Sequence, residues 1–564
     1  AGLSDLLERN RKDPAKCRVL AFTARAGEGL LSPCSEHGMI PIRRSLLPLA
    51  ALLAPVLMLH GQQNNVPLER DIYLDLDRNH ARIDTTGTRR VHTGMRPYIE
   101  SRADLTHVMG YRPDSSRHYY WATEKLFKEH LFIVKDGDVH LTIDPVFHFE
   151  LGQDFNDPTE FSDTTRFYHN ARGVSVRGDL GPRFSFETTF YENQAIYPQY
   201  LYLYSQRTGV VPGQGRIKGF KNRAYDFSWA QGNVSWSPAT WLNVQFGHGR
   251  HFVGNGYRSM LLSDNALNYP YLKFSLLSPN GRWQYTTFHA KLNELERLPT
   301  GEAAESLFYW KRMRVHHLSV DLGRVQLGLF ESTIFRNIDS AGVRPFEPME
   351  LNPVIGLNRV VNGSDGDWTN ILGADLKWKV TDRLFVYGQF AIQDADRQAW
   401  QGGLRLFDLF GRDLHVQVEY NHADPFMYQA RPAVMAHHHH GQPLAHPMGG
   451  YVDEAVVIVD HRVDRFLFRA KVNLATYHVD GADSLNYGSD LLKPYVPEPG
   501  PDGPVVRQLT FLDLSASWLM NQMTNMQVQL GWRGRDLTNA PAQLQSGYLY
   551  VAWRTGLFNR YYDI

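Results

Sequence analysis

Hydrophobic and polar residues alternate along most of this chain from about Leu131 onward, and the pattern is plainest at 371–393. Leu372, Ala374, Leu376, Trp378 and Val380 fall on one face, with Gly373, Asp375, Lys377, Lys379 and Thr381 on the other. After the polar break Thr381-Asp382-Arg383, the first face resumes with Leu384, Val386, Gly388, Phe390 and Ile392, against Phe385, Tyr387, Gln389 and Gln393. Period two predicts strands, and a polar break between two such runs predicts a hairpin. Runs of about ten residues exceed the usual soluble strand and suit a tilted crossing of a bilayer.

The pattern repeats. Asp136-Gly137 is a hairpin turn between 131–135 and 139–152, and further alternating runs lie at 184–190, 242–247, 325–329, 414–420, 466–474, 512–518, 526–532 and 549–553. The polar faces carry Gln417, Glu419, Arg469, Lys471, Asp513 and Gln529, which a dry sandwich core would not hold cheaply and a barrel lumen accommodates. Connections are unequal: some are a few residues, as at 381–383, and others are long, at 154–168, 197–223, 335–367, 425–451 and 481–506. Short turns on one side and long loops on the other describe an all-β, antiparallel transmembrane outer-membrane β-barrel of about 16–18 strands. The competing architecture is a secreted all-β protein of several sandwiches.

Composition narrows the class. Aromatics make up 12% of the 564 residues, which suits membrane-interface girdles, and the zero formal net charge gives no basic footprint for nucleic acid. Near the start, Arg43 and Arg44 precede an apolar stretch, 45–59, too short for a membrane-spanning helix and followed by Gly61. That order predicts a signal peptide over 39–61, with 1–38 an unstructured upstream mis-start. Both cysteines, Cys17 and Cys34, precede it, so no disulfide is expected in the exported part. A partly helical periplasmic segment is expected over 62–130 and the barrel over 131–564. Within the former, 71–77 reads as a short alternating piece and 119–130 as a helix capped by Ser115 or Ser116, with Glu124 and Lys128 at a favourable spacing.

Candidate chemistry is sparse. The glycine-rich, basic 247–256 lacks the GK[ST] ending and following helix of a phosphate loop. His437, His438, His439 and His440 are candidate metal ligands, since neutral imidazoles bind zinc or copper, set against a solvated loop. Ser259, Ser263 and Asp264 come without a nucleophile elbow, and Glu347 and Glu350 read as loop composition. No catalytic residue and no cofactor is assigned. Tyr200, Tyr202 and Tyr204 offer stacking faces for a glycan if their rings point outward.

Several stretches, taken in order, resemble one family: 191–195, 209–215, 246–259 running into 262–266, 349–353, 417–421 and 442–449. They are similar to the Bacteroidetes outer-membrane barrels grouped as Wzi-like capsule-assembly proteins, some of them called RemB gliding-motility proteins. The likeness extends over 117–471. It implies a non-enzymatic barrel of the cell outer membrane that assembles or retains capsule or exopolysaccharide at the cell surface. A gliding-associated surface protein and a porin-like diffusion channel are the alternatives. The implied partners are outer-membrane lipid, capsular or extracellular polysaccharide and other cell-surface proteins. No site residue carries over from the family.

Overall fold

The computed structural model describes residues 62–84, 90–111, 120–297, 308–339, 342–363, 367–394, 396–481, 485–496 and 503–564. The expected signal peptide and upstream segment lie outside the described residues.

Eighteen antiparallel strands close into one barrel. They are β1 (Val139–Asp154), β2 (Phe167–Leu180), β3 (Phe184–Ile196), β4 (Ala224–Ala239), β5 (Leu242–Gly249) and β6 (Tyr269–Leu277). Next come β7 (Trp283–Arg297), β8 (Phe308–Asp321), β9 (Val325–Phe335), β10 (Thr369–Thr381), β11 (Leu384–Asp394) and β12 (Arg397–Leu406). The last six are β13 (Leu414–Ala423), β14 (Val452–Val463), β15 (Phe466–Val479), β16 (Val505–Asn521), β17 (Met526–Leu537) and β18 (Ser546–Arg554). Closure comes from β18 pairing with β1, Tyr548 opposite Asp154 through Arg554 opposite His148. The Asp136-Gly137 turn forms as expected: Phe132–Asp136 pairs back on the start of β1, with Gly137 at φ 54°.

The hairpin of β10 and β11 has the predicted faces, Leu376 opposite Gly388 and Lys377 opposite Tyr387. Leu376, Trp378 and Phe390 are exposed on the outer wall, whereas Asp375, Lys377 and Tyr387 are buried in the lumen. Trp236, Trp283, Trp378, Trp518 and Trp553 are all exposed on the outside close to the short turns. That ring of indoles is what a membrane interface selects.

The lumen is not an open passage. Residues 71–77, expected to be extended, belong to the helix α1 (Arg70–Ala81) packed inside the barrel. One side of it, Ile72, Tyr73 and Leu76, packs on Val66, Tyr98 and Val108, while Leu74 and Ala81 pack on Phe385, Tyr387 and Phe407 of the wall. With apolar contacts on two faces the helical period is masked in so short a run. A second helix, α2 (Trp121–Phe127), sits at the short-turn end, where the Asn521 amide donates to Lys125 O and Glu129 O at 3.0 and 2.8 Å. The Glu124 and Lys128 pair is present at 3.9 Å, and Ser115 and Ser116 lie outside the described residues.

Candidate functional site

The barrel's interior is built from its own chain. Segment 62–111 enters at the short-turn end, where acids of α1 meet cations of the wall: Asp71 with Arg469 at 2.8 Å and Asp75 with Arg462 at 2.7 Å. Asp77, the third acid, bonds Arg96 of the same segment and Arg405 of the wall. Thus the polar face read from β13 and β15 faces the lumen, but filling segments use it rather than water. Gln417 accepts from Arg70 at 3.1 Å, and Glu419 accepts the backbone N–H groups of Tyr257 and Arg258 at 2.6 and 3.0 Å.

The glycine-rich stretch fills the middle. Residues 250–268 dip from the long-loop end, and Phe252–Val253 pair with Met95–Arg96 of the entering segment. At Gly254, φ is +109° and a Cβ would overlap the Gln389 amide, so only glycine lets the loop lie against the wall here. Arg250 clamps the loop by donating to Asp264 O at 2.5 Å and Gly213 O at 2.9 Å. Ser259 and Ser263 donate to Val253 O and Ala445 O, at 2.7 and 2.6 Å, and so serve the loop's shape. Glu347 and Glu350 form a capping box on a short 3₁₀ turn.

The chain after β18 threads the lumen towards the long-loop end. Asn559 and Tyr561 donate to the two carboxylate oxygens of Asp264 at 2.9 and 2.7 Å, and Arg535 donates to Ile564 O at 3.0 Å. Asp563 is fully buried. It lies 3.2 Å from Arg258 Nη2 and 2.9 Å from Lys471 Nζ, and the Tyr257 hydroxyl donates to it at 2.7 Å. Arg258 is also paired with buried Glu454 at 2.7 Å, and Glu454 is 2.9 Å from His446 Nε2. This network ties the glycine-rich loop, the chain end and β14–β15 into one body. Its members lie far apart in sequence, and no motif or period announces it.

A cavity of about 170 Å³ remains between α1, the chain end and the wall. Its lining includes Arg70, Arg469, Lys471, Arg533, Arg554 and Arg560, facing Glu69, Asp71 and Asp513, with Tyr550, Phe558 and Tyr561 as ring faces. Guanidinium groups in excess over carboxylates suit an anionic or polyhydroxylated group. Burial, with Asp71 beside it, pushes the Glu69 carboxyl up to about 8. Burial also opposes ionisation of Asp71, but Arg469 and Arg554 outweigh it and hold that carboxyl well below the usual range. Burial, reinforced by Lys377, lowers the His80 imidazole to about 3.

Glu69 is expected to make the plug pH-sensitive. The folded state retains its proton above the ordinary 4.5, so this contribution to stability is full below 4.5 and falls as pH rises through about 8. Hydrogen exchange in segment 62–111, divided by the unfolded-chain rate at each pH, is expected to quicken between pH 5 and 8. Glu69→Gln is expected to flatten that rise, and an unchanged pH profile in the variant would refute the assignment.

The histidine run is not a solvated loop. His437, His438 and His439 are almost wholly buried, and His438–His439 pair with Gln442–Pro443 in a small hairpin against the inner wall. Along this hairpin His437 and His438 turn to different wall partners, while the His439 and His440 rings sit side by side, centroids 4.4 Å apart. His437 lies 3.3 Å from Ser332 Oγ, His438 3.4 Å from Glu294 and His439 2.9 Å from Asn293 N. Among the described residues, the group with metal-ligand spacing is Asp408, Asp413 and His415. There the Arg78 guanidinium already bridges the carboxylates, at 2.7 and 3.0 Å.

The tyrosine candidates also turn inward. They lie on the helix Gln199–Thr208, where Tyr200 is buried, donates to Tyr562 O at 3.2 Å and packs its ring on Arg535. Tyr202 stacks on Tyr225 with centroids 5.2 Å apart, and Tyr204 is half-buried. These rings build the barrel's inner cap rather than a displayed stacking surface.

No family model matches the sequence, and no curated protein matches it. Among solved structures it is matched by Wzi of Escherichia coli, an outer-membrane protein involved in group 1 capsule assembly and described as a carbohydrate-binding β-barrel. The TM-score is 0.53 at 13% identity, over 88% of this chain and 100% of that one. The chain is similar to Wzi in fold. OccAB3 of Acinetobacter baumannii aligns at TM-score 0.39 and 9% identity over 75% of this chain and 100% of that one. OmpF of Salmonella typhi aligns at 0.36 and 8%, over 75% and 99%.

Proposed function

We propose that this barrel sits in the outer membrane and holds polysaccharide at the cell surface without making or breaking covalent bonds. The observation that carries the reading is the filled lumen: α1, the glycine-rich loop and the chain end are ion-paired to the wall from one end to the other. A barrel so closed serves as a platform for its long-loop end rather than as a diffusion path. The fold likeness to Wzi, itself described as carbohydrate-binding, supports the same direction.

The test is genetic and electrical together. Deleting the gene is expected to leave polymer synthesis intact and to shift polymer from the cells into the medium by several-fold. The purified barrel is expected to stay silent in planar bilayers. Normal cell-bound polymer with defective surface spreading would move the assignment to a gliding-associated role, and steady open-channel current would move it to a porin.

A further inference from the structure

One connection is built inside out. From 345 to 361, the exposed residues are all apolar, with Phe346, Leu351, Val354, Val360 and Val361 exposed at 51%, 62%, 55%, 78% and 55%. The polar Glu350, Asn352 and Asn358 of the same stretch are buried. A loop in water shows the opposite arrangement.

Its position explains the inversion. On β7 the lumen-facing residues are Thr286 and Phe288, so Tyr285 and His289 point to the outer wall. By the same register Arg314 and His316 of β8, Glu331 of β9 and Asn370 of β10 face outward. Outward positions elsewhere are bare, as at Leu530 and Val551, yet His316 and Glu331 have no exposed surface at all. The loop covers them. Tyr285 donates to Pro353 O at 2.9 Å, His289 Nε2 lies 2.8 Å from Glu350 O, and Gly356 N donates to Glu331 at 2.9 Å. Under the cover the polar groups satisfy one another, Tyr285 with His316 at 2.6 Å and Asn370 with Glu331 at 2.8 Å.

The depth is that of the membrane. His316 lies five residues from the short-turn end of β8 at Asp321. At about 3.3 Å per residue and a tilt of about 40°, that is roughly 13 Å up a band about 25 Å tall. Backbone at this depth must be satisfied internally. Pro345, Pro348 and Pro353 have no N–H to satisfy, and Glu350, Asn352, Leu357 and Val360 donate within the loop.

We propose that loop 345–361 is folded down the outside of the barrel and embedded in the bilayer, its apolar face against lipid acyl chains. It seals a polar cluster on β7–β10 from hydrocarbon. Continuity with bare Leu327 and Leu329 on the same wall argues for lipid as the occupant rather than a protein. The inference rests on the outer-membrane reading above and adds a membrane-embedded lobe to it.

Nitroxide labels at Val354→Cys and Val360→Cys, with Cys17 and Cys34 changed to serine, test it in proteoliposomes of phosphatidylcholine and phosphatidylglycerol. Collision with oxygen is expected to be high and with a water-soluble nickel chelate low. The ratio is expected several-fold above that at exposed Lys218→Cys of the long-loop end and close to that at Leu530→Cys. High nickel collision at 354 and 360 with a lipid-like Leu530 would overturn the inference alone. Low collision with both reagents would mean a protein covers the face, and would overturn it too. An aqueous Leu530 would overturn the barrel reading, and this inference with it.

Discussion

Glu454→Ala is expected to cost about 3–5 kcal/mol and to loosen the glycine-rich loop and the chain end from the wall. In the parent, the cations Arg258 and Lys471 face the carboxylates Glu454 and Asp563 with almost no exposed surface. Removing Glu454 leaves two buried cations sharing one carboxylate. It also strips an acceptor from His446, Asn421 and Asn473. The penalty lies in the unpaired charge rather than in the pair's own worth. Arg258→Met combined with Glu454→Met removes both charges, keeps Lys471 with Asp563, and is expected to recover most of the loss. Denaturant midpoints read by heat-modifiable gel mobility measure the cost, and planar-bilayer current reports the loosened plug. A cost below about 1 kcal/mol for Glu454→Ala would mean that this network does not hold the lumen shut.

The wall was legible because a two-sided sheet writes itself locally. Every second residue of β10 and β11 reports its face, so alternation alone puts Lys377 inside and Trp378 outside. Alternation says which side a residue faces but not what fills that side. Alternation puts Arg469 and Lys471 on the lumen face, where they lie, yet their partners Asp71 and Asp563 are 398 and 92 residues away. Helix α1 is illegible in the sequence because it is buried on two faces and so has no single apolar stripe. Loop composition leaves open whether Tyr200 faces outward or packs and suggests a solvated loop for the four histidines, because it cannot distinguish a loop in water from one folded into a lumen. The stretch 345–361 departs from its composition in the other direction. Its prolines and glutamates look like a surface loop, and only the register of β7 and β8 shows that it covers the outer wall.

Acid is expected to open the long-loop end of the lumen before the wall yields. Burial, reinforced by Lys311, lowers His437 to about 3, and burial with Arg216 lowers His440 to about 4. Burial drives His438 and His439 well below the ordinary 6.5 as well, with Lys311 and His440 respectively adding to it. All four are held neutral in the fold. Their contribution to stability is therefore full above 6.5 and is lost as pH falls from 6.5 towards 3–4, because the released loop takes up protons that the docked one refuses. Glu294 is the carboxylate at hand, 3.4 Å from His438, and it already serves Lys311 at 2.8 Å. It cannot balance four new cations. The combined loss is several kcal/mol, at about 1.4 kcal/mol per tenfold displacement, enough to undock a loop while strand pairing in the wall persists. Hydrogen exchange in 425–451, divided by the unfolded-chain rate at each pH, is expected to rise steeply between pH 6 and 4, while the same ratio in β14–β17 stays low. Substituting His437 and His439 with glutamine and asparagine, which carry no titrating group, is expected to reduce the acid response by about half. Equal acceleration of loop and wall, or an unchanged response in the double variant, would place the acid sensitivity elsewhere.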